Sequence, residues 1–106
     1  MKRKKKTGEL EMFKEIWSIK PKHFCQNCSR ELPKWLHPIF FSHILPKGKF
    51  PEHRLNKDNI KIVCGECHQL WEFSTLDKLK DYKLTEAQWG LIEKYNYLRY
   101  CKLKGV

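Results

Sequence analysis

The sequence lacks any apolar run that approaches the ~20 residues needed to span a bilayer. No apolar segment follows its charged beginning, so nothing in it resembles a secretory signal. We therefore expect a cytosolic chain with no membrane partner and with reduced thiols, in which paired cysteines bind a metal rather than form disulfides. Low-complexity segments are also missing, and a 41% hydrophobic content is too high for a disordered chain.

Acidic residues are scarce compared with basic ones. The chain has 12 Asp and Glu against 22 Lys and Arg, which gives a formal net charge of +10. Such an excess favours a polyanionic partner, because basic groups near phosphates release condensed counterions. Residues 1–6 form a basic arm that we expect to be disordered, either as a phosphate-contacting tail or as a solvated terminus.

The 106 residues suit one domain with a modest core, which a bound metal would help to stabilise. Hydrophobic periodicity and turn residues predict an α+β chain. The predicted elements are a helix over 7–19, a strand over 39–45, a polar loop over 46–58, a strand over 60–63, a helix over 68–73 and a short helix over 76–82.

A capping box at Thr85 and Gln88 predicts the start of a longer helix that continues to about Leu103, with Gly105 as its stop. We expect its large apolar residues to pack in the core rather than to bind a ligand; they are Trp89, Ile92, Tyr95, Leu98 and Tyr100.

Four of the five cysteines occur in two C-x-x-C pairs, Cys25-Gln-Asn-Cys28 and Cys64-Gly-Glu-Cys67. Two such turns supply the four tetrahedral ligands of a closed, structural zinc site. The segment between the pairs is long enough for two strands and a loop. Four cysteine ligands leave His68 available for another task.

The remaining cysteine and three histidines have simpler interpretations. Cys101 is expected to be a buried thiol of the last helix, and His37 and His53 to be surface or hydrogen-bonded core residues. His23 lies two residues before Cys25, but we do not expect it to replace a thiolate as a zinc ligand.

Three further motifs lie between and beside the cysteine pairs. They are Phe41-Ser-His43-Ile-Leu-Pro46, then Asp58-Asn59-Ile, then Cys67-His68 directly after the second pair. This ordered set, over residues 25–68, resembles the HNH nucleases in their zinc-stapled form. The resemblance implies a single HNH-type domain over 7–106, with a zinc-stapled ββα-metal core over 23–74 and helices flanking it, the C-terminal ones over 75–104.

The resemblance also implies roles for three residues in the hydrolysis of DNA phosphodiester bonds. His43 would be the general base, because a neutral imidazole can accept a proton from water near neutral pH. His68 would bind a catalytic Mg²⁺ or similar ion, which acts as a Lewis acid. Asn59 would brace the loop or orient the histidine. Compact members of this kind resemble phage proteins, which would place the chain in a host cytoplasm.

The sequence departs from the HNH pattern at Ser42, where the family usually has an Asp or a His that binds the catalytic ion. A hydroxyl is a poor ligand for a divalent ion compared with a carboxylate. Glu72, at i+4 from His68, would replace it as a ligand if both lie on one helix face. Otherwise the ion binds weakly through His68, or activity is lost.

Basic residues of the loop after His43 are the expected DNA contacts: Lys47, Lys49 and Arg54 either bind phosphates beside the cut or are simply solvated. Two alternatives to a nuclease stay open. One is a catalytically inactive zinc module that binds nucleic acid, and the other is a zinc-containing protein-interaction adaptor whose charge is incidental.

Overall fold

Four helices and one two-stranded antiparallel sheet make up the computed structural model, which describes residues 8–105. The predicted α+β class is confirmed. The basic arm at 1–6 and the first residue of the predicted N-terminal helix, Thr7, lie outside the described residues. The elements are α1 (Glu9–Ser18), β1 (Phe41–His43), β2 (Ile60–Ile62), α2 (Gly65–Phe73), α3 (Glu86–Tyr95) and α4 (Tyr97–Lys104).

The register of the hairpin decides which side chains face the same way. Phe41 pairs with Ile62 and His43 with Ile60, whereas Ser42 pairs with Lys61 between them. Because successive strand residues point to opposite faces, Phe41 and His43 lie on one face and Ser42 on the other.

The first strand is shorter than the predicted 39–45. Pro38–Phe40 form one turn of 3₁₀-helix, with Pro38 at its first position, where its missing N–H costs nothing. Beyond His43 the chain leaves the regular ladder. Its next two amides donate to Asn59, that of Ile44 to the main-chain oxygen and that of Leu45 to the side-chain oxygen.

Helix α1 packs on the hairpin through aromatic rings. Phe13 stacks on Phe41 at 4.2 Å between ring centroids, and Trp17 is also buried. Leu10 does not share this face, and its side chain is 48% exposed. Glu9, Phe13 and Trp17 are spaced i, i+4, i+8, and Leu10 is rotated away from that stripe.

Helix α2 begins earlier than predicted, at Gly65, because Cys64 is its N-cap residue. Trp71 is buried and donates its indole N–H to the carbonyl of Ile44, which ties α2 to the end of the hairpin. Phe73, the last residue of this helix, is 83% exposed. Two helical positions separate it from Trp71, which rotates it to the opposite side.

The predicted capping box is confirmed. Thr85 accepts from the amide of Gln88, and the Gln88 side chain accepts from the amide of Thr85. The single helix to Leu103 is wrong, because Asn96 has non-helical dihedral angles and separates α3 from α4. Leu98 is consequently 68% exposed, and Cys101 is half-buried rather than buried.

No helix in the described range 8–105 has the length and apolar character to cross a membrane.

The capping box yields a stability prediction with an internal control. Thr85→Ala should lower the free energy of unfolding by about 1 kcal/mol, because it removes a side-chain acceptor at a helix N-terminus. Thr75 also precedes a helical turn, but its side chain makes no capping hydrogen bond. Thr75→Ala should therefore cost clearly less in the same urea denaturation, and equal losses would contradict the assignment.

Candidate functional site

The four paired cysteines converge although their two pairs are far apart in sequence. The sulfur atoms of Cys25, Cys28, Cys64 and Cys67 all lie within 4.8 Å of one another. The Cys28 and Cys64 sulfurs are 3.8 Å apart, close to the edge of about 3.8 Å expected for a tetrahedron with Zn–S bonds of about 2.3 Å. The cluster is compatible with a structural zinc ion, and elsewhere in residues 8–105 no group of three or more His, Cys, Asp or Glu converges in this way.

A tight turn forms the first half of the cluster. The amide of Cys25 donates to the carbonyl of Arg30, and the amide of Ser29 donates to the carbonyl of Cys25. Ser29 adopts a left-handed conformation with φ of 68°, which reverses the chain after the second cysteine. The amide of Cys28 points at the Cys25 sulfur at 3.4 Å, a contact that stabilises a thiolate.

Two residues inside the first pair connect the cluster to the rest of the fold. Gln26 exchanges hydrogen bonds with Ile62 of β2, donating its amide and accepting with its side-chain oxygen. Asn27 donates to the Cys67 sulfur at 3.3 Å and accepts from the amide of Lys83. The cysteine cluster therefore holds the hairpin, α2 and the segment before α3 together.

The thiols have conflicting ionisation preferences in the absence of a cation. Burial works against ionisation of Cys25, yet backbone donors outweigh it and lower its pKa to about 6. Burial, assisted by the neighbouring thiols, raises the pKa of Cys67 to about 12. Four closely spaced thiolates are stable only around a positive charge, which a divalent metal would supply.

His23 is not part of this cluster, as expected. Its ring stacks on Trp17 at 3.5 Å between centroids, and its Nε2 atom lies 2.6 Å from the Trp17 carbonyl oxygen. These contacts assign it to core packing. His37 is exposed, as expected. His53 is buried against the ring of Tyr95, and its Nε2 atom has no hydrogen-bond partner among the described residues, so it is not the hydrogen-bonded core histidine that was expected.

A second candidate site is a cleft of about 300 Å³ beside the hairpin. His43, at the end of β1, and His68, in the first turns of α2, both line it. The remaining wall consists of Phe13, Pro38, Phe41, Pro46, Lys47, Gly48 and Glu72. The two histidines singled out in the sequence thus share one cleft, although helix and strand are separate elements.

Hydrogen bonding fixes how His68 faces this cleft. Its Nδ1 atom lies 2.6 Å from the carbonyl oxygen of Ile39, so Nδ1 carries the proton and donates it. The lone pair is then on Nε2, which lies 3.9 Å from a carboxylate oxygen of Glu72. A backbone acceptor that fixes the tautomer in this way is the usual arrangement for a metal-binding histidine. Glu72 occupies the i+4 position predicted for it.

His43 is buried and remains neutral near neutral pH. Burial is the main cause that lowers its pKa, whereas the Arg54 carbonyl and the Glu9 carboxylate act in the opposite direction. Its Nε2 atom lies 3.2 Å from that carbonyl oxygen and therefore bears the proton. The lone pair is left on Nδ1, which has no hydrogen-bond partner among residues 8–105.

Asn59 fixes the loop that follows His43. It is fully buried, accepts from the amide of Leu45 at 2.7 Å, and donates to the carbonyls of Leu45 and His53. The Asn59 side chain thereby connects the beginning of the loop to its middle. None of these hydrogen bonds goes to the ring of His43.

Ser42 and the basic loop residues occupy different surroundings. Ser42 is fully buried on the hairpin face opposite His43, and its hydroxyl is not part of the cleft wall. Lys47 lines the cleft, and Lys49 is exposed beside it without lining it. The main-chain carbonyl of Arg54 accepts a hydrogen bond from Nε2 of His43.

Sequence reasoning missed two charged residues near the sites. Glu9 of α1 places a carboxylate oxygen 3.4 Å from Nε2 of His43 and 3.4 Å from Nζ of Lys47. Lys61 is 2% exposed, and burial lowers the pKa of its ammonium group, which the charges of Cys25 and Cys67 partly restore. The alternation of apolar and polar residues in Ile60-Lys61-Ile62 predicted only that Lys61 lies on the polar face of a strand.

The cysteine cluster predicts metal-dependent stability. Elemental analysis should give one zinc per chain, and Cys28→Ser should lower the thermal unfolding midpoint and release the ion, since a three-thiolate shell binds less tightly. Cys101→Ser is the matched control, because Cys101 lies in α4 and outside the cluster. A zinc content unchanged by Cys28→Ser would contradict the four-cysteine site.

Comparison with known proteins adds no relative to this picture. No protein-family description matches the chain, and searches of curated proteins and of solved structures also give no match. The resemblance to HNH nucleases therefore depends on motif order alone, and a functional assignment has to be made from the residues described above.

Proposed function

We propose that this chain is a zinc-stapled, metal-dependent endonuclease of the HNH type that hydrolyses DNA phosphodiester bonds. One observation carries the proposal: His43 and His68, the two histidines of the motif, line a single cleft. The succession β1, β2, α2 around a four-cysteine cluster supports it, because this is the order of elements in a zinc-stapled ββα-metal core.

His43 is assigned the role of general base. Its Nε2–H donates to the Arg54 carbonyl, so the lone pair on Nδ1 can take a proton from water. The water oxygen then forms a bond to phosphorus, and the bond from phosphorus to the 3′ oxygen breaks. The departing oxygen receives a proton from solvent. Burial favours this role because it keeps the imidazole neutral by lowering its pKa.

His68 and Glu72 are assigned the binding of the catalytic ion. Their facing atoms are 3.9 Å apart, within the ~4.2 Å that can separate two ligands of one ion with bonds of about 2.1 Å. A divalent ion such as Mg²⁺ held there would stabilise charge on the phosphate and on the leaving oxygen. A carboxylate at position 72 compensates for the hydroxyl at Ser42, which lies outside the cleft.

Basic side chains beside the cleft are assigned to the DNA backbone. Lys47 lines the cleft, and Lys49 and Arg54 belong to the same loop. Contacts of this type neutralise phosphates without reading bases, so cleavage should depend little on sequence. The formal charge of +10 favours the same polyanionic partner.

A plasmid-nicking assay with Mg²⁺, Mn²⁺ or Ni²⁺ tests the assignment. His43→Ala should lower the nicking rate by about 10²- to 10⁴-fold, the usual contribution of a general base. Glu72→Gln should raise the metal concentration needed for half-maximal rate. The matched controls are His37→Asn, an exposed histidine outside the cleft, and Glu66→Gln, an exposed acid on the same helix. Equal effects of target and control substitutions would contradict the assigned roles.

The nicking rate should also depend on pH in a defined direction. His43 is active as a base only when neutral, so the rate should rise with pH through its pKa and then become constant. Burial places that pKa below the ordinary value of 6.5, so the plateau should already be reached at neutral pH. Single-turnover rates across mildly acidic to neutral pH measure this, and a rate that keeps rising well above neutrality contradicts it.

A catalytically inactive, zinc-containing nucleic-acid-binding module is the second candidate. The observation that favours it is that, within residues 8–105, no group of three or more His, Cys, Asp or Glu side chains converges in the cleft, and Ser42 is not part of its wall. In this case the wild-type protein retards DNA in a salt-sensitive manner but never nicks it. The nicking assay above therefore separates the two candidates.

A further inference from the structure

A single carboxylate oxygen of Glu9 lies close to three basic side chains, the neutral imidazole of His43 and the charged groups of Lys47 and Arg54. Oε1 of Glu9 lies 3.4 Å from Nε2 of His43, 3.4 Å from Nζ of Lys47 and 4.0 Å from Nε of Arg54. Its side chain is only 16% exposed, although Glu9 is the first residue of α1. A largely buried acidic side chain therefore lies against basic residues, one of which, Lys47, lines the cleft.

Glu9 is not required to hold His43 in place. The Nε2–H of His43 already donates to the Arg54 carbonyl at 3.2 Å, which is closer than the Glu9 oxygen. That backbone acceptor fixes the tautomer and the ring orientation by itself. The role of Glu9 is therefore electrostatic, directed at the cations of the loop.

Two of the groups around Glu9, the side chains of Lys47 and Arg54, are of the kind that binds phosphate. Lysine and arginine side chains form charge-assisted hydrogen bonds with carboxylate and phosphate oxygens alike. Lys47 is half-exposed and also lines the cleft, so the same ammonium group can serve an oxygen entering from solvent. A carboxylate held among such donors occupies the position that suits a phosphate oxygen.

The contacts of Glu9 with Lys47 and Arg54 are long enough to be exchanged. Charge-assisted N–H···O bonds in strong pairs measure about 2.7–2.9 Å, whereas the distances from the Glu9 carboxylate to Lys47 and Arg54 are 3.4 and 4.0 Å. Inorganic phosphate as a dianion offers more charge to the same donors, and a nucleic-acid strand offers further phosphates for additional contacts.

We propose that Lys47 and Arg54, beside His43, form a phosphate-binding site in which the Glu9 carboxylate is a resident anion that an incoming phosphate group displaces. The inference rests on the proposed function, since it takes the phosphate to be that of a nucleic-acid backbone. Glu9 would then compete with incoming anions for Lys47 and Arg54. Anions with few contacts would bind weakly, whereas a phosphate of a longer strand, which makes additional contacts, would displace the carboxylate.

Inorganic phosphate is the probe, and zinc-loaded full-length protein without other divalent ions is the sample. Backbone amide signals of the loop containing Lys47 and Arg54 are followed by NMR during the titration. Glu9→Gln keeps the shape of the side chain and removes its charge. Glu11→Gln is the matched control, because Glu11 is an exposed acid in the same first turn of α1, with the same effect on net charge and helix dipole.

Glu9→Gln should bind phosphate about three- to fivefold more tightly than wild type, the range expected from removing a partly exposed ion pair. Glu11→Gln should resemble wild type, and adding Lys47→Gln to Glu9→Gln should remove the gain. The inference is overturned if Glu9→Gln and Glu11→Gln bind alike, or if phosphate shifts no loop signal in any variant.

Failure of the proposed function gives a different result. If phosphate binding follows this pattern but no variant nicks plasmid DNA with any divalent ion, the phosphate site stands and the nuclease assignment fails. If wild type nicks DNA while Glu9→Gln and Glu11→Gln bind phosphate alike, the nuclease assignment stands and Glu9 is not a competitor.

Discussion

Four sulfur atoms from two distant turns lie within 4.8 Å of one another, and the positions of the hairpin and α2 depend on that convergence. The first turn is hydrogen-bonded to β2 through Gln26, and the second turn caps α2 through Cys64. Bringing the turns together therefore sets the strand that carries His43 against the helix that carries His68. In a domain of this size, with a limited apolar core, a metal is an effective source of such rigidity.

The two sites differ in how they treat charge. The cysteine cluster is closed, and its thiols have opposed ionisation preferences that a cation would reconcile. The cleft is open, and both of its histidines have an unprotonated ring nitrogen. Burial favours the neutral form of His43 by lowering its pKa, and a hydrogen bond from Nδ1 of His68 to the Ile39 carbonyl leaves the lone pair of His68 on Nε2. A structural metal site has all of its ligand positions filled by the protein. A site for hydrolysis, the role proposed for the cleft, needs side chains that can still bind a water or a metal ion.

Helix α1 contributes more to the cleft than packing. Phe13 stacks on Phe41 and forms part of the cleft wall, and one turn earlier Glu9 reaches Lys47. The same helix face thus supplies an apolar contact that positions β1 and a carboxylate that moderates the basic loop. Helix α1 lies outside residues 25–68, which carry the resemblance to HNH nucleases, yet its Phe13 forms part of the cleft wall.

The sequence by itself determined features encoded by spacing: the C-x-x-C pairs, the order of His43, Asn59 and His68, and the capping box at Thr85. Each of these depends on residues a few positions apart, or on ligands whose chemistry demands convergence. Tertiary structure alone decided the rest. The burial of Ser42 follows from hairpin register, the break between α3 and α4 from the non-helical dihedral angles of Asn96, and the placement of Glu9 from α1 packing against β1. Such contacts join residues tens of positions apart and leave no periodic signal, because only the assembled fold brings them together.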